Sequence, residues 1–278
     1  MGLRDNRLVK VFAELRSAGK KTLLPFITAG YPDLATTELL LREFASRGAR
    51  VCELGIPFSD PIADGPVIQA SYTDALARGI TSARIFETVR RYRRSALRTP
   101  HSALALVAMV SYSIVYRHGV KAYLSDAAEA GFDGLIVPDL PLEEAAEFEK
   151  LASAQGLCNI MLIAPTTPPA RRLEIARHSR GFLYYISVAG ITGERTRLPP
   201  AAMAAVRELR RRVETPICVG FGISNARTVA EVCRVADGAI VGSAIVKRIA
   251  EAAARGLSGR TLARRAGDFV GELLAPVL

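Results

Sequence analysis

Cysteine is scarce in this 278-residue chain, and the four present, Cys52, Cys158, Cys218 and Cys233, lie far apart with no C-x-x-C pair among them. That spacing argues against a zinc cluster, a redox dithiol or a disulfide scaffold. Three of the four sit beside apolar residues in strand-like runs, which predicts buried, reduced thiols in a cytoplasmic protein. Long apolar runs are missing as well. None approaches the roughly 18 residues that span a bilayer, and the opening MGLRDNRLVK has no signal-peptide core, so no membrane role is expected. The three histidines, His101, His118 and His178, share no ligand spacing and are read as surface or capping residues. No metal site is expected, and no G-x-S-x-G elbow occurs.

What is present is an ordinary globular composition, 50% hydrophobic and 23% charged, with 22 Gly and 15 Pro scattered along the chain. The formal charge is +10. Its densest stretches, Arg90, Arg91, Arg93, Arg94 and Arg98, then Arg210 to Arg212, fall in helical patterns without interleaved aromatics. They read as solvated helix faces, and no nucleic-acid partner is expected.

Two periodicities alternate from end to end. After a first helical face carried by Leu8, Val11, Phe12 and Leu15 come eight apolar runs: TLLPFIT, ARVCELG, ALALVAM, GLIVPD, CNIMLIAP, GFLYYIS, PICVGFG and GAIVGS. Each suits a parallel strand buried on both faces. Helical spacing occupies 34–46, 85–97, 120–130, 142–154, 170–178, 201–213, 226–235 and 244–254. Strand-then-helix units of roughly 30 residues predict an α/β fold, a single (β/α)8 TIM barrel with an additional N-terminal helix, filling residues 1–278 as one domain. Chemistry then belongs at the C-terminal strand ends, where the loops converge.

Four strand ends are unusual. Glu53 follows an apolar run: facing the barrel mouth, it would have its pKa raised by burial and serve in proton transfer, whereas turned aside it would bond backbone donors of its own loop. The loop after it carries Asp60 and Asp64, which pattern alone does not rank; either with Glu53 makes a pair of carboxylates in different environments. Gly220-Phe221-Gly222 and Gly242-Ser243, the latter at a helix start, form a candidate phosphate site, because glycine lets the backbone approach and helix-start amides point at oxygen. Either Tyr184 or Tyr185 points inward, and residues 188–197 suit a lid.

The segments Pro25 to Gly30, Glu53 to Pro66 with Gln69, Ile136 to Pro141, Gly190 to Gly193, Gly220 to Ser224 and Val241 to Val246 together resemble the tryptophan synthase alpha chain family in order and over nearly the whole chain. The resemblance implies a lyase that cleaves indole-3-glycerol phosphate to indole and glyceraldehyde 3-phosphate without a cofactor. It puts the catalytic carboxylates on Glu53 and Asp64 and an active-site tyrosine on Tyr184. It matches phosphate-holding backbone to Gly193, Gly222, Gly242 and Ser243, and positions around the indole and the lid to Phe26, Asp139 and Thr192. It also implies a beta-chain partner in an alpha2beta2 complex. Here Ser113 and Ile114 replace an Asn-Pro of the partner-facing stretch, and Val188 stands where some relatives have Arg. A stand-alone lyase of specialised metabolism and a non-catalytic phosphate-binding regulator are the competing expectations.

Overall fold

A computed structural model of the chain describes residues 3–62, 64–96, 103–187, 199–220 and 222–277. The apolar runs form nine strands: β1 Thr22–Thr28, β2 Val51–Gly55, β3 Ala105–Met109, β4 Gly134–Ile136, β5 Cys158–Ile160, β6 Leu162–Ile163, β7 Leu183–Ile186, β8 Ile217–Gly220 and β9 Gly238–Val241. Every pairing is parallel, in the order β5-β4-β3-β2-β1-β9-β8-β7-β6. The ends of that order, β5 and β6, are separated in the chain by Met161 alone, so the sheet closes on itself as a TIM barrel. At the break the Met161 amide donates to Ser179 Oγ (3.0 Å), while its carbonyl accepts from the Tyr184 amide (3.0 Å).

Around the sheet lie α1 Arg7–Ser17, α2 Leu34–Ser46, α3 Pro66–Ala77, α4 Ser82–Ala96, α5 Tyr112–His118, α6 Val120–Ala130, α7 Leu142–Ala154, α8 Pro169–Arg177, α9 Pro200–Arg210, α10 Ala226–Cys233, α11 Ser243–Ala254 and α12 Gly259–Leu274. The alternation anticipated most of them; α3, α5 and α12 are additions. α3 starts at Pro66, whose missing N–H is harmless in a first turn, and buries Ile68, Tyr72 and Ala75 at helical spacing. α12 lays Leu262, Ala266, Val270 and Leu273 toward the core and packs on α2. None of the described helices is long and apolar enough to cross a membrane.

Strand alternation divides the apolar residues into two layers. Leu23, Cys52, Leu54, Leu106, Leu135, Tyr185 and Val219 face the helices. Leu24, Val51, Val107, Ile136, Ile160, Tyr184 and Ile240 fill the barrel. α1 joins the inner layer through Leu8, Val11, Phe12 and Leu15, with Phe12 against Phe182 at 5.6 Å between ring centroids, and so plugs the end where the strands begin. Asn6 pins that plug: its Oδ1 accepts from the Leu8 amide (2.9 Å), while its Nδ2 donates to the carbonyls of Asp133 (2.7 Å) and Gly156 (2.8 Å).

The arginine-rich stretch needs a correction. Arg90, Arg91 and Arg94 pair with surface glutamates, as a solvated face does. Arg93 instead turns inward: it donates to Asp133 (2.7 Å) and to the carbonyls of Gly131 and Leu104 (both 2.6 Å), in a knot that includes Arg7. Burial with five available donors makes it a structural tie. Arg98 lies outside the described residues. All four cysteines are buried and free.

Replacing Asn6 by Ala removes a helix cap and strands two carbonyls in a buried seam. Chemical denaturation should show a loss of about 2–3 kcal/mol. A stability equal to the parent would mean that α1 is held by its apolar face alone.

Candidate active site

On β2, Val51 belongs to the inner layer and Cys52 and Leu54 to the outer, so alternation turns Glu53 into the barrel. It lies in register with Phe26 of β1 and Val107 of β3. Its exposure is 0%, and neither carboxyl oxygen has a hydrogen-bond partner among the described residues. Burial pushes the carboxyl well above the usual carboxylate range, and no cation among the described residues opposes it. The environment therefore favours the uncharged acid.

The two aspartates that the pattern left unranked have different surroundings. Asp60 is exposed and accepts from Ser59 Oγ (2.6 Å). Asp64 is half-buried, and that burial lifts its carboxyl to about 6, leaving it mostly ionised at neutral pH. Its backbone is stapled: the amide donates to the Pro61 carbonyl (3.0 Å), and Gln69 of α3 donates to the carbonyls of Asp64 (2.8 Å) and Pro61 (3.2 Å).

Tyr184 takes the inward phase of β7, while Tyr185 faces outward beneath Arg172. The Tyr184 ring and hydroxyl occupy the space that any side chain at Gly220 would need. Burial pushes this hydroxyl up, and Glu53 and Asp64 push it further in the same direction, which brings all three groups into one electrostatic neighbourhood. Tyr72 of α3 belongs to it as well, raised first by burial, then by Asp64 and Glu53. The sequence reading missed Tyr72, because its spacing from Ile68 and Ala75 is that of any buried helix face.

A cavity of about 550 Å³ opens beside this cluster, lined by Asp64, Tyr72, Met109, Asp139, Leu162 and Ile186 from the loops and ends of successive strands. Phe26 packs with Ile68, Tyr72 and Val246 along β1 and lies against Gly242. Asp139 serves the wall itself, accepting from Ser111 Oγ and the Tyr112 amide (both 2.7 Å) and so fastening the start of α5 to the loop after β4.

The two glycine-rich strand ends differ. Gly222 has φ +78, a conformation favouring glycine, but the helix after it, α10, is closed by its own capping box between Asn225 and Thr228. α11 starts after Gly242 with no side-chain cap, so its first amides remain available to an anion. Thr192 and Gly193, with the rest of the expected lid and Val188, lie outside the described residues, as does His101. His118 faces Asp126 and His178 faces Glu149, each at a helix end.

A family model described as tryptophan synthase alpha chain matches residues 12–266. The tryptophan synthase alpha chain of Rhodopirellula baltica is 46% identical over 271 residues, covering 96% of each chain. Among solved structures, tryptophan synthase subunit alpha from Legionella pneumophila superposes with a TM-score of 0.87 at 34% identity, over 98% of each chain. A chain of Mycobacterium tuberculosis tryptophan synthase gives 0.86 at 32% identity, again over 98% of each.

A buried carboxyl without partners opposes folding, so Glu53→Met, which keeps an unbranched side chain of similar length, should raise stability by about 1–3 kcal/mol near pH 7. The native pKa is raised. The contribution of Glu53 is therefore full below about 4.3, where the unfolded carboxyl is also protonated, and is lost as pH rises toward the native value. The advantage of the Met variant should grow from pH 4 to 8 in urea titrations; a gap that shrinks with pH would contradict the buried neutral acid.

Proposed function

The chain belongs to the tryptophan synthase alpha chain family, lyases that cleave indole-3-glycerol phosphate in tryptophan biosynthesis, and on that premise we propose how its residues divide the work. The observation that carries the assignment is the contrast between Glu53, buried without a hydrogen-bond partner among the described residues and pushed by that burial toward the protonated acid, and Asp64, with a carboxyl at about 6 and largely ionised at neutral pH.

Indole is a poor carbanion, so the bond to the glycerol chain breaks only after C3 of the ring has been protonated. Glu53 supplies that proton. The positive charge then spreads to the ring N–H, and the Asp64 carboxylate accepts a hydrogen bond from it. Glu53, now a carboxylate, takes the proton of the hydroxyl on the adjacent carbon. The C–C bonding electrons flow into the ring, restoring indole, and the carbon bearing that hydroxyl leaves as the aldehyde of glyceraldehyde 3-phosphate. Glu53 ends the cycle protonated, as it began.

Tyr184 borders the reacting carbons from β7, and Phe26 forms wall against the ring. The phosphate end goes to the open start of α11, with Gly242 and Ser243, beside Gly222; the uncapped helix start supports this placement. The family resemblance assigns Thr192 and Gly193, which lie outside the described residues, to substrate and phosphate binding. Asp139 shapes the pocket through its grip on α5. Binding the phosphate away from the scissile bond supplies positioning. Residues 1–278 serve as one barrel domain working in the cytoplasm.

The partner is a tryptophan synthase beta chain in an alpha2beta2 complex. Two large apolar side chains are exposed near the barrel mouth, Ile62 (87%) in the loop after β2 and Tyr116 (70%) on α5, and these support a docking face there. Ser113 and Ile114 lie on the same helix as Tyr116.

Indole release from indole-3-glycerol phosphate tests the assignment. Glu53→Gln should abolish turnover while phosphate-ligand binding persists, and Asp64→Asn should slow it by roughly 100-fold or more. In the parent, activity should fall as pH drops through about 6, where Asp64 gains its proton, and the Asn variant should lack that limb. Near-parental turnover by Glu53→Gln would reject the scheme. Adding a beta chain should accelerate release; no response would leave the protein a stand-alone lyase.

A further inference from the structure

Once Glu53 has given up its proton, the carboxylate left behind has no cation beside it among the described residues, so another donor has to stabilise it. The titratable groups that feel Glu53 come from several elements: Tyr72 from α3, Tyr184 from β7, Cys218 from β8 and Cys52 from its own strand, with Asp64 acting on the same two tyrosines. Cys52 faces the outer layer.

Tyr72 has a particular position among them. A Cβ placed on Gly55 would lie 2.5 Å from the Tyr72 hydroxyl oxygen and 2.5 Å from the Phe26 ring. Gly55 is the next inward-facing residue of β2 after Glu53, about 6.6 Å further toward the mouth. The hydroxyl thus fills the side-chain space next above Glu53 on the same face. The ring is held among Phe26, Ile68 and Val246, while the residue also borders the cavity. Its hydroxyl has no hydrogen-bond partner among the described residues.

We propose that Tyr72 is a positioning residue of the acid–base site, whose hydroxyl donates a hydrogen bond to the Glu53 carboxylate while the proton resides on the substrate carbon. This rests on Glu53 being the acid of the reaction. The absence of a side chain at Gly55 is part of the device, since any substituent there would displace the phenol. The bond is made only while Glu53 is charged, so it speeds the proton transfer without adding to ground-state affinity.

The test is Tyr72→Phe, which keeps the ring and its packing and removes one oxygen. Indole release from indole-3-glycerol phosphate should show kcat lower by roughly 10- to 100-fold, the scale of a hydrogen bond to a charged group, with KM within about threefold of the parent. Without the donor, Glu53 holds its proton more tightly, so the alkaline fall in rate should move to higher pH. The thermal midpoint should not drop. If the parent releases indole and the Phe variant matches its kcat within about threefold, or if the loss appears in KM with the alkaline limb unmoved, Tyr72 is packing and the proposal is wrong. A parent that releases no indole would overturn the assignment of Glu53 itself, and this proposal with it.

Discussion

An acid that is to hold its proton above the usual carboxylate range has to be kept away from both water and cations, and this constraint organises the mouth of the barrel. Glu53 meets it by position. It sits on the inward face of β2, between strands that present Phe26 and Val107 in register, and it is fully buried with both oxygens unpartnered. Among the described residues, the arginines of α4 are engaged elsewhere, Arg90 and Arg94 with Glu87 and Arg93 in the Asp133 knot. The phenols of Tyr72 and Tyr184 and the thiol of Cys218 are its electrostatic neighbours instead, and none of them neutralises it.

Holding such a group requires a rigid frame, and the frame is closed at one end only. α1 presses its apolar face into the strand-start end of the barrel, and Asn6, Arg7 and Arg93 tie that end together through Asp133 and its neighbouring carbonyls. At the other end the loops after successive strands leave a cavity of about 550 Å³. The asymmetry follows from the inner layer itself: bulky apolar residues fill the lower barrel, while Gly55, Gly220 and Gly242 near the mouth make room for Tyr72, Tyr184 and Phe26.

The two glycine-rich strand ends illustrate how local chemistry decides what a helix start can do. Both are followed by a helix within a few residues, yet α10 satisfies its own amides through Asn225 and Thr228, whereas α11 has no side-chain cap. Capacity for an anion therefore belongs to the unclaimed N–H groups rather than to glycine as such.

Much of the architecture was legible along the chain because a barrel strand covered on both faces must be continuously apolar, and an outer helix must carry a stripe; TLLPFIT and PICVGFG could hardly be anything else. α3 was hidden behind a proline-rich loop, α5 was too short, at seven residues, to show a clear periodicity, and α12 lay beyond the last repeat of the pattern. By itself the sequence determined the strand-and-helix alternation, the family likeness and the presence of acids after the second strand. Only the tertiary structure decided that Tyr184 faces in and Tyr185 out, that Asp64 rather than Asp60 is desolvated, that Arg93 is buried and that Tyr72 reaches the site. The reason is physical: alternation gives a strand two faces without saying which meets the axis, and a pKa depends on neighbours that closure of the sheet brings together from distant parts of the chain.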